Sequence, residues 1–241
     1  MSDAVLYSVE DGVATICLNR PQARNALNLA MCEGLVSAAR CAADDPAVKL
    51  VFVRGSGPVF CAGADTKERQ GMDAAQVRAR RGKGFDAYAA LEALPMPAVA
   101  LVEGPAVGSG CEIAASCDFI VATPAASFRT PEAIRGTVGA TQRLARVLGK
   151  RLAKDMMYTG RTLGAQEALA HGLVSRLVGA EDLAATLAEI VKAITGAPQQ
   201  SLRLAKRTMD RGVERDPQGA LAAEIEAIEE QLASGQWMGK N

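Results

Sequence analysis

The sequence predicts an α/β protein with parallel strand pairing and a helical C-terminal third. Two observations carry this. β-branched apolar runs bounded by Gly and Asn alternate with helical patterns through the first half, and after about residue 139 the apolar residues repeat at helical spacing.

"VATICLN" (13 to 19) and "VKLVFVRG" (48 to 55) read as strands. Between them Asn28 can cap a helix with Leu29, Cys32, Leu35, Val36 and Ala39 on one stripe. "MPAVALVEG" (96 to 104) is a further buried strand, followed by a glycine turn and then "CDFIVATPAASF". Leu183, Leu187, Ile190, Val191 and Ile194 share one helix face, as do Leu221, Ile225, Ile228 and Leu232, with "GAPQQS" breaking the chain between them. Such broad apolar faces either fold back on the body or pack against another subunit.

Composition excludes several classes. Twenty-seven basic residues balance 27 acidic ones and aromatics make up 4%, so neither nucleic acid nor an anionic membrane is an expected partner. "MSDAVLYSVEDGV" has no secretory or transit pattern and no run is long enough to span a bilayer, which points to a cytoplasmic protein. The six cysteines form no CxxC pair and read as reduced core residues; with His171 the only histidine, no metal is expected.

The segment "VEGPAVGSGCEIAASCDFIVA" (102 to 122) holds the chemistry. It lacks the lysine of a phosphate-binding loop, and Glu112 would repel phosphate. Ser109 lacks the spacing of a nucleophile elbow and has only His171 as a candidate base. The first N–H groups of the following helix have no internal partner and can donate to an oxyanion, with Glu112 one step further on; alternatively, Glu112 is simply a first-turn acid. "PVFCAGADTKE" (58 to 68) supplies a second small-residue turn, and "FRTPEAIRG" (128 to 136) a second carboxylate, Glu132. Two N–H donors and two glutamates suit proton transfer beside a thioester carbonyl. Mutual repulsion raises at least one of the two pKa values, so one can be acid while the other is base.

In "ICLNRPQARNALN", "FCAGADTKE", "EGPAVGSGCEIAASCDFIVA", "FRTPEAIRG", "TQRLARVLGK" and "YTGRTLGAQEALAHGLVSRLV", in that order over residues 13 to 178, the chain resembles the crotonase superfamily, the enoyl-CoA hydratase/isomerase group. The resemblance implies a spiral of ββα units over residues 1–180, with a helical region over 181–241 that builds a homotrimer or a hexamer made of two trimers. It also implies an acyl-CoA substrate that carries its own coenzyme A, with no further cofactor. Gln22, Ala23 and Arg24 match the loop that touches the CoA nucleotide, although Arg24 reads equally as a solvated loop residue. Ala62, Ala64, Asp65, Thr66 and Lys67 match the loop that binds adenine and pantetheine; Asp65 and Lys67 read equally as a helix-start acid and a solvated lysine. The oxyanion donors map onto the N–H groups of Ala64 and Ser109, where the family usually has glycine at the second position. The two catalytic glutamates of hydratases map onto Glu112 and Glu132.

The resemblance departs in two places. Only "TVGA" separates "PEAIRG" from "TQRL", where the family has a longer glycine-rich loop. "SGQWMGKN" does not match the family tail, and Trp237 either fills that place or sits on a frayed end. His171 reads as a helix-end residue before Gly172, and Cys61 and Cys111 as small packing residues rather than nucleophiles. The reading is an enoyl-CoA hydratase-like lyase, with a double-bond isomerase or a degenerate acyl-CoA-binding scaffold as alternatives.

Overall fold

A computed structural model describes residues 3–235; Trp237 lies outside the described residues. Strand β1 (Val5–Glu10) forms an antiparallel hairpin with β2 (Val13–Leu18). Its turn is Asp11-Gly12, both at positive φ (48° and 78°), the backbone that a two-residue hairpin needs to match strand twist. From β2 the pairing is parallel, through β3 (Leu50–Gly55), β4 (Ala98–Val102), β6 (Phe119–Ala122) and β9 (Arg176–Leu177), giving the six-stranded order β1-β2-β3-β4-β6-β9.

The stretch 96 to 104 is not one long strand. It leaves the large sheet after Val102 and re-forms as β5 (Pro105–Val107) in a second sheet, with β7 (Ser127–Arg129) parallel to it and β8 (Thr162–Gly164) antiparallel to β7. Gly104 makes this step possible, because a Cβ there would lie 2.1 Å from the Pro58 carbonyl oxygen. "CDFIVATPAASF" repeats the move as β6 and then β7. A strand in each sheet followed by a helix is the ββα unit that winds the spiral.

Helix α1 (Leu29–Asp44) crosses from β2 to β3, with Asn28 Oδ1 accepting from the Met31 N–H at 2.9 Å. Its buried face runs through Met31, Leu35, Ala38 and Ala42. Leu29 is exposed and Val36 only half-buried, so the stripe is rotated from the expected one, and Met31 and Ala38 take their place. Helix α2 (Ala74–Glu92) starts on an Asp73–Gln76 capping box and α3 (Ser109–Ala115) follows β5 directly. After these come α4 (Arg143–Thr159), broken at Gly149 (φ 74°), and α5 (Ala165–Ala170). His171 ends α5 by donating its N–H to the Glu167 carbonyl, ahead of Gly172 at φ 75°, the expected helix-end role.

The main core lies between the large sheet, the small sheet and α1 to α3, and holds Ile16, Leu35, Leu91, Ile113 and Phe128 fully buried. Each such side chain contributes roughly 1.5–3 kcal/mol. Helix α6 (Leu183–Gly196) folds back onto the other face of the large sheet, packing Leu183, Leu187 and Ile190 over Leu50, Val99 and Val121. Helices α7 (Gln199–Gly212) and α8 (Pro217–Ala233) pack on each other. Leu221, Ile225, Ile228 and Leu232 remain about half exposed on α8. Among the described residues no helix is long and apolar enough to cross a membrane.

Candidate active site

The two small-residue turns of the sequence meet in space. Cys61 bridges Ala106, with the Val107 N–H donating to the Cys61 carbonyl at 2.9 Å. Gly110 is required at this crossing, since a Cβ there would lie 2.4 Å from the Cys61 carbonyl oxygen. Ala64 sits in a parallel bridge with Leu27 that uses the Gly63 carbonyl and the Asp65 N–H. The Ala64 N–H therefore points to the other side. Ser109 opens α3, where an N–H has no intrahelical acceptor. Among the described residues neither N–H has a partner, and both residues line one cavity of about 270 Å³.

Glu112 and Glu132 line the same cavity. Glu112 is 5% exposed, and its Oε2 accepts from Arg143 Nη1 at 2.8 Å while its Oε1 is buried without a partner. Arg143 is itself held by both carboxylate oxygens of Glu92, at 2.6 and 2.7 Å, and lies 5.3 Å over the Tyr88 ring. Burial pushes the Glu112 carboxyl above the ordinary range, Arg143 pulls it back only in part, and Glu92 adds to the rise. Glu132 begins the 3-10 turn Ala133–Arg135 and keeps a buried Oε2 without a partner. Burial pushes its carboxyl up as well; its own backbone N–H opposes this, the charge of Glu112 reinforces it, and the nearby Arg135 and Arg81 guanidiniums oppose it again, the net direction remaining upward. Gly108 (φ 51°) is required beside it, because a Cβ would lie 2.2 Å from Glu132 Oε1.

The shortened loop leaves Glu132 in the cavity. Arg81 of α2 donates to the Val138 carbonyl, and Gly139 packs against both Arg81 and Glu132. Tyr88 lines the same cavity, and burial pushes its phenol up, with the neighbouring Ser109 lowering it in part. Cys61 and Cys111 are buried, with the Cys61 thiol pushed up to about 12, which suits packing rather than nucleophilic attack. Cys41, by contrast, is exposed, so it is not the core residue the composition suggested.

The loop residues named from the sequence also come together. Gln22, Ala23 and Arg24 lie on and just after the 3-10 turn Pro21–Ala23, and the Arg24 carbonyl accepts from the Ala62 N–H at 3.0 Å. Thr66 and Lys67 are exposed. Asp65 is engaged within the protein: Arg20 Nη1 donates to it at 3.0 Å, and the N–H groups of Lys67 and Glu68 donate to its Oδ1. Burial opposes its ionisation, but these bonds outweigh burial and hold it below the usual carboxylate range. No helix starts here: the carboxylate closes a turn over residues 66–71, and the next helix begins only at Ala74 on its own Asp73 cap.

Sequence reasoning missed Arg143, Tyr88, Arg81 and the buried Asn25. Asn25 fastens the 20s loop by accepting from the Arg20 N–H and donating to the Ser56 and Val59 carbonyls. A buried polar residue needs such partners, but its burial is not readable from one chain.

Two sheets joined by ββα turns, with the glycine turn of one unit facing the small-residue turn of another, constitute the crotonase architecture. The family model for enoyl-CoA hydratase/isomerase matches residues 8–237, and the chain belongs to that family. It is 36% identical to the crotonyl-CoA hydratase of Syntrophomonas wolfei over 228 residues, covering 93% of this chain and 88% of the relative. It is also 36% identical to the short-chain-enoyl-CoA hydratase of Clostridium acetobutylicum over 230 residues, covering 94% and 88%. Among solved structures, the enoyl-CoA hydratase of Bacillus anthracis superposes with a TM-score of 0.91 at 33% identity, over 98% of this chain and 92% of that one. The family implies acyl-CoA substrates.

Proposed function

We propose that this protein is an enoyl-CoA hydratase, adding water reversibly across the 2,3 double bond of an enoyl-CoA thioester. The observation that carries the reading is that each of two glutamates in one cavity presents a buried carboxylate oxygen with no protein partner. A double-bond isomerase needs only one general base; a hydratase needs a base for water and an acid for Cα.

In this mechanism the thioester oxygen sits between the Ala64 and Ser109 N–H groups, which receive the enolate charge as it develops. One such donor is typically worth about 2.7–4 kcal/mol in the transition state. Glu112, whose carboxylate form is held by Arg143, takes the proton of a water that attacks Cβ. Glu132 is hydrogen-bonded to no guanidinium, is raised by burial and by the Glu112 charge against the opposing charges of Arg135 and Arg81, and delivers its proton to Cα. Gln22, Ala23, Arg24 and the 62–67 loop carry the CoA moiety. The protein works in the cytoplasm as a trimer, or a dimer of trimers, assembled through its C-terminal helices.

Glu112→Gln and Glu132→Gln each test the assignment. Each lowers kcat by roughly 10²–10⁴-fold, while the Kd for a saturated acyl-CoA stays within a few-fold of wild type. Turnover unchanged in either variant removes that glutamate from the mechanism.

A further inference from the structure

The cavity is unusually cationic for one that would hold a fatty acyl chain. Four arginines and two glutamates line it: Arg69, Arg80, Arg81, Arg135, Glu112 and Glu132. Two of these charges are already met, Arg80 by Glu68 at 2.6 Å and Glu112 by Arg143 at 2.8 Å. Arg81 has only the Val138 carbonyl, and the Arg135 guanidinium makes no hydrogen bond or ion pair among the described residues.

Arg81 and Arg135 also share a location. Arg135 closes the 3-10 turn that Glu132 begins. Arg81 reaches the same place from α2: a Cβ on Gly139 would lie 3.5 Å from Arg81 Nη2 and 3.5 Å from Glu132 Cγ. Glu132 Oε1 points the other way, against the Gly108 turn. Glu132 thus stands between the oxyanion turns and the two guanidiniums. On the acyl-CoA reading, CoA occupies the side of the 22–24 and 62–67 loops, which leaves the Glu132, Arg81 and Arg135 side of the cavity for the acyl chain. An alkyl terminus there would strip water from cations and return no hydrogen bond. A carboxylate would accept from them as charge-assisted pairs.

We propose that Arg81 and Arg135 form a carboxylate subsite for the far end of the acyl group, so that the preferred substrates are short 2-enoyl-CoA thioesters bearing a terminal carboxylate. This rests on the acyl-CoA reading above.

The test uses the full-length protein and two saturated five-carbon thioesters, glutaryl-CoA and valeryl-CoA, in titration calorimetry, so that binding is read without turnover. The wild type is expected to bind glutaryl-CoA at least tenfold more tightly. Arg135→Met and Arg81→Met bring the ratio of the two affinities toward one, and Arg135→Lys restores part of it. Equal or tighter binding of valeryl-CoA, no binding of either thioester, or a ratio unchanged in both Met variants overturns the subsite. Hydration of glutaconyl-CoA and pent-2-enoyl-CoA is then measured alongside. The expected affinity ratio without hydration leaves the subsite standing and sinks the hydratase reading. Hydration of pent-2-enoyl-CoA without the ratio does the reverse.

Discussion

Glu112 and Glu132 share a cavity, but only Glu112 is hydrogen-bonded to a guanidinium, and in the proposed mechanism that difference divides their roles. Both carboxyls are raised by burial, but only Glu112 accepts a hydrogen bond from a guanidinium. In the proposed mechanism water activation requires ionised Glu112, so the acid limb of the kcat/KM profile is expected to follow the Glu112 pKa. Arg143 lowers that pKa; Arg143→Gln removes the lowering and leaves burial and the Glu92 charge, both of which raise it. The acid limb is therefore expected to move to higher pH, with kcat at neutral pH reduced, as read from initial rates across a pH series. A limb that stays in place or moves down would show that Arg143 does not set the base. The two glutamates were legible in the sequence because each follows a turn residue, Gly110-Cys111 before one and Pro131 before the other. Arg143 was not, since it lies 31 residues from Glu112 and only the fold joins them. Tyr88 and Arg81 escaped for a related reason: α2 carries Arg80, Arg81, Gly84, Phe85 and Tyr88 toward the cavity, a mixed face with no apolar period to orient it.

At the scale of elements, α7 is fixed to the spiral by a charge rather than by an apolar seam alone. Lys206 Nζ lies 3.0 Å from Asp118 Oδ2, which also accepts from the Ala98 N–H at 2.7 Å, just where β4 begins. Lys206→Met leaves Asp118 with its backbone donor but no cation, and Asp118 is about a quarter exposed, so water recovers part of the loss. The expected cost is roughly 1–2 kcal/mol, seen as a lower midpoint in urea unfolding; an unchanged midpoint would mean that apolar packing alone holds α7. The strands at 13–18, 50–55 and 98–102 were readable because each is buried and β-branched. The small sheet was not: β5, β7 and β8 are three residues each, too short for any period, and the sheet change at Gly104 is dictated by the Pro58 carbonyl. Strand β1 went unread as well, although the Asp-Gly pair at 11–12 is a hairpin signal.

For the whole molecule, the two C-terminal apolar faces have different fates. That of α6 is covered by the large sheet, while α8 leaves Leu221, Ile225, Ile228 and Leu232 half exposed, with Val213 of the preceding turn 85% exposed. A contiguous apolar face of this kind marks an association surface. The double variant Ile225→Lys, Ile228→Glu is expected to yield monomers by light scattering where trimers or hexamers are expected of the wild type; an unaltered mass would place the interface elsewhere. The central claim is that this cavity adds water to an enoyl thioester. Its most direct test is to incubate the purified wild-type protein with crotonyl-CoA, follow the loss of enoyl-thioester absorbance, and run Glu132→Gln beside it. The account predicts hydration to 3-hydroxybutyryl-CoA by the wild type and a rate lowered by at least about a hundredfold in the variant. No hydration by the wild type, or equal rates in the two, would contradict it.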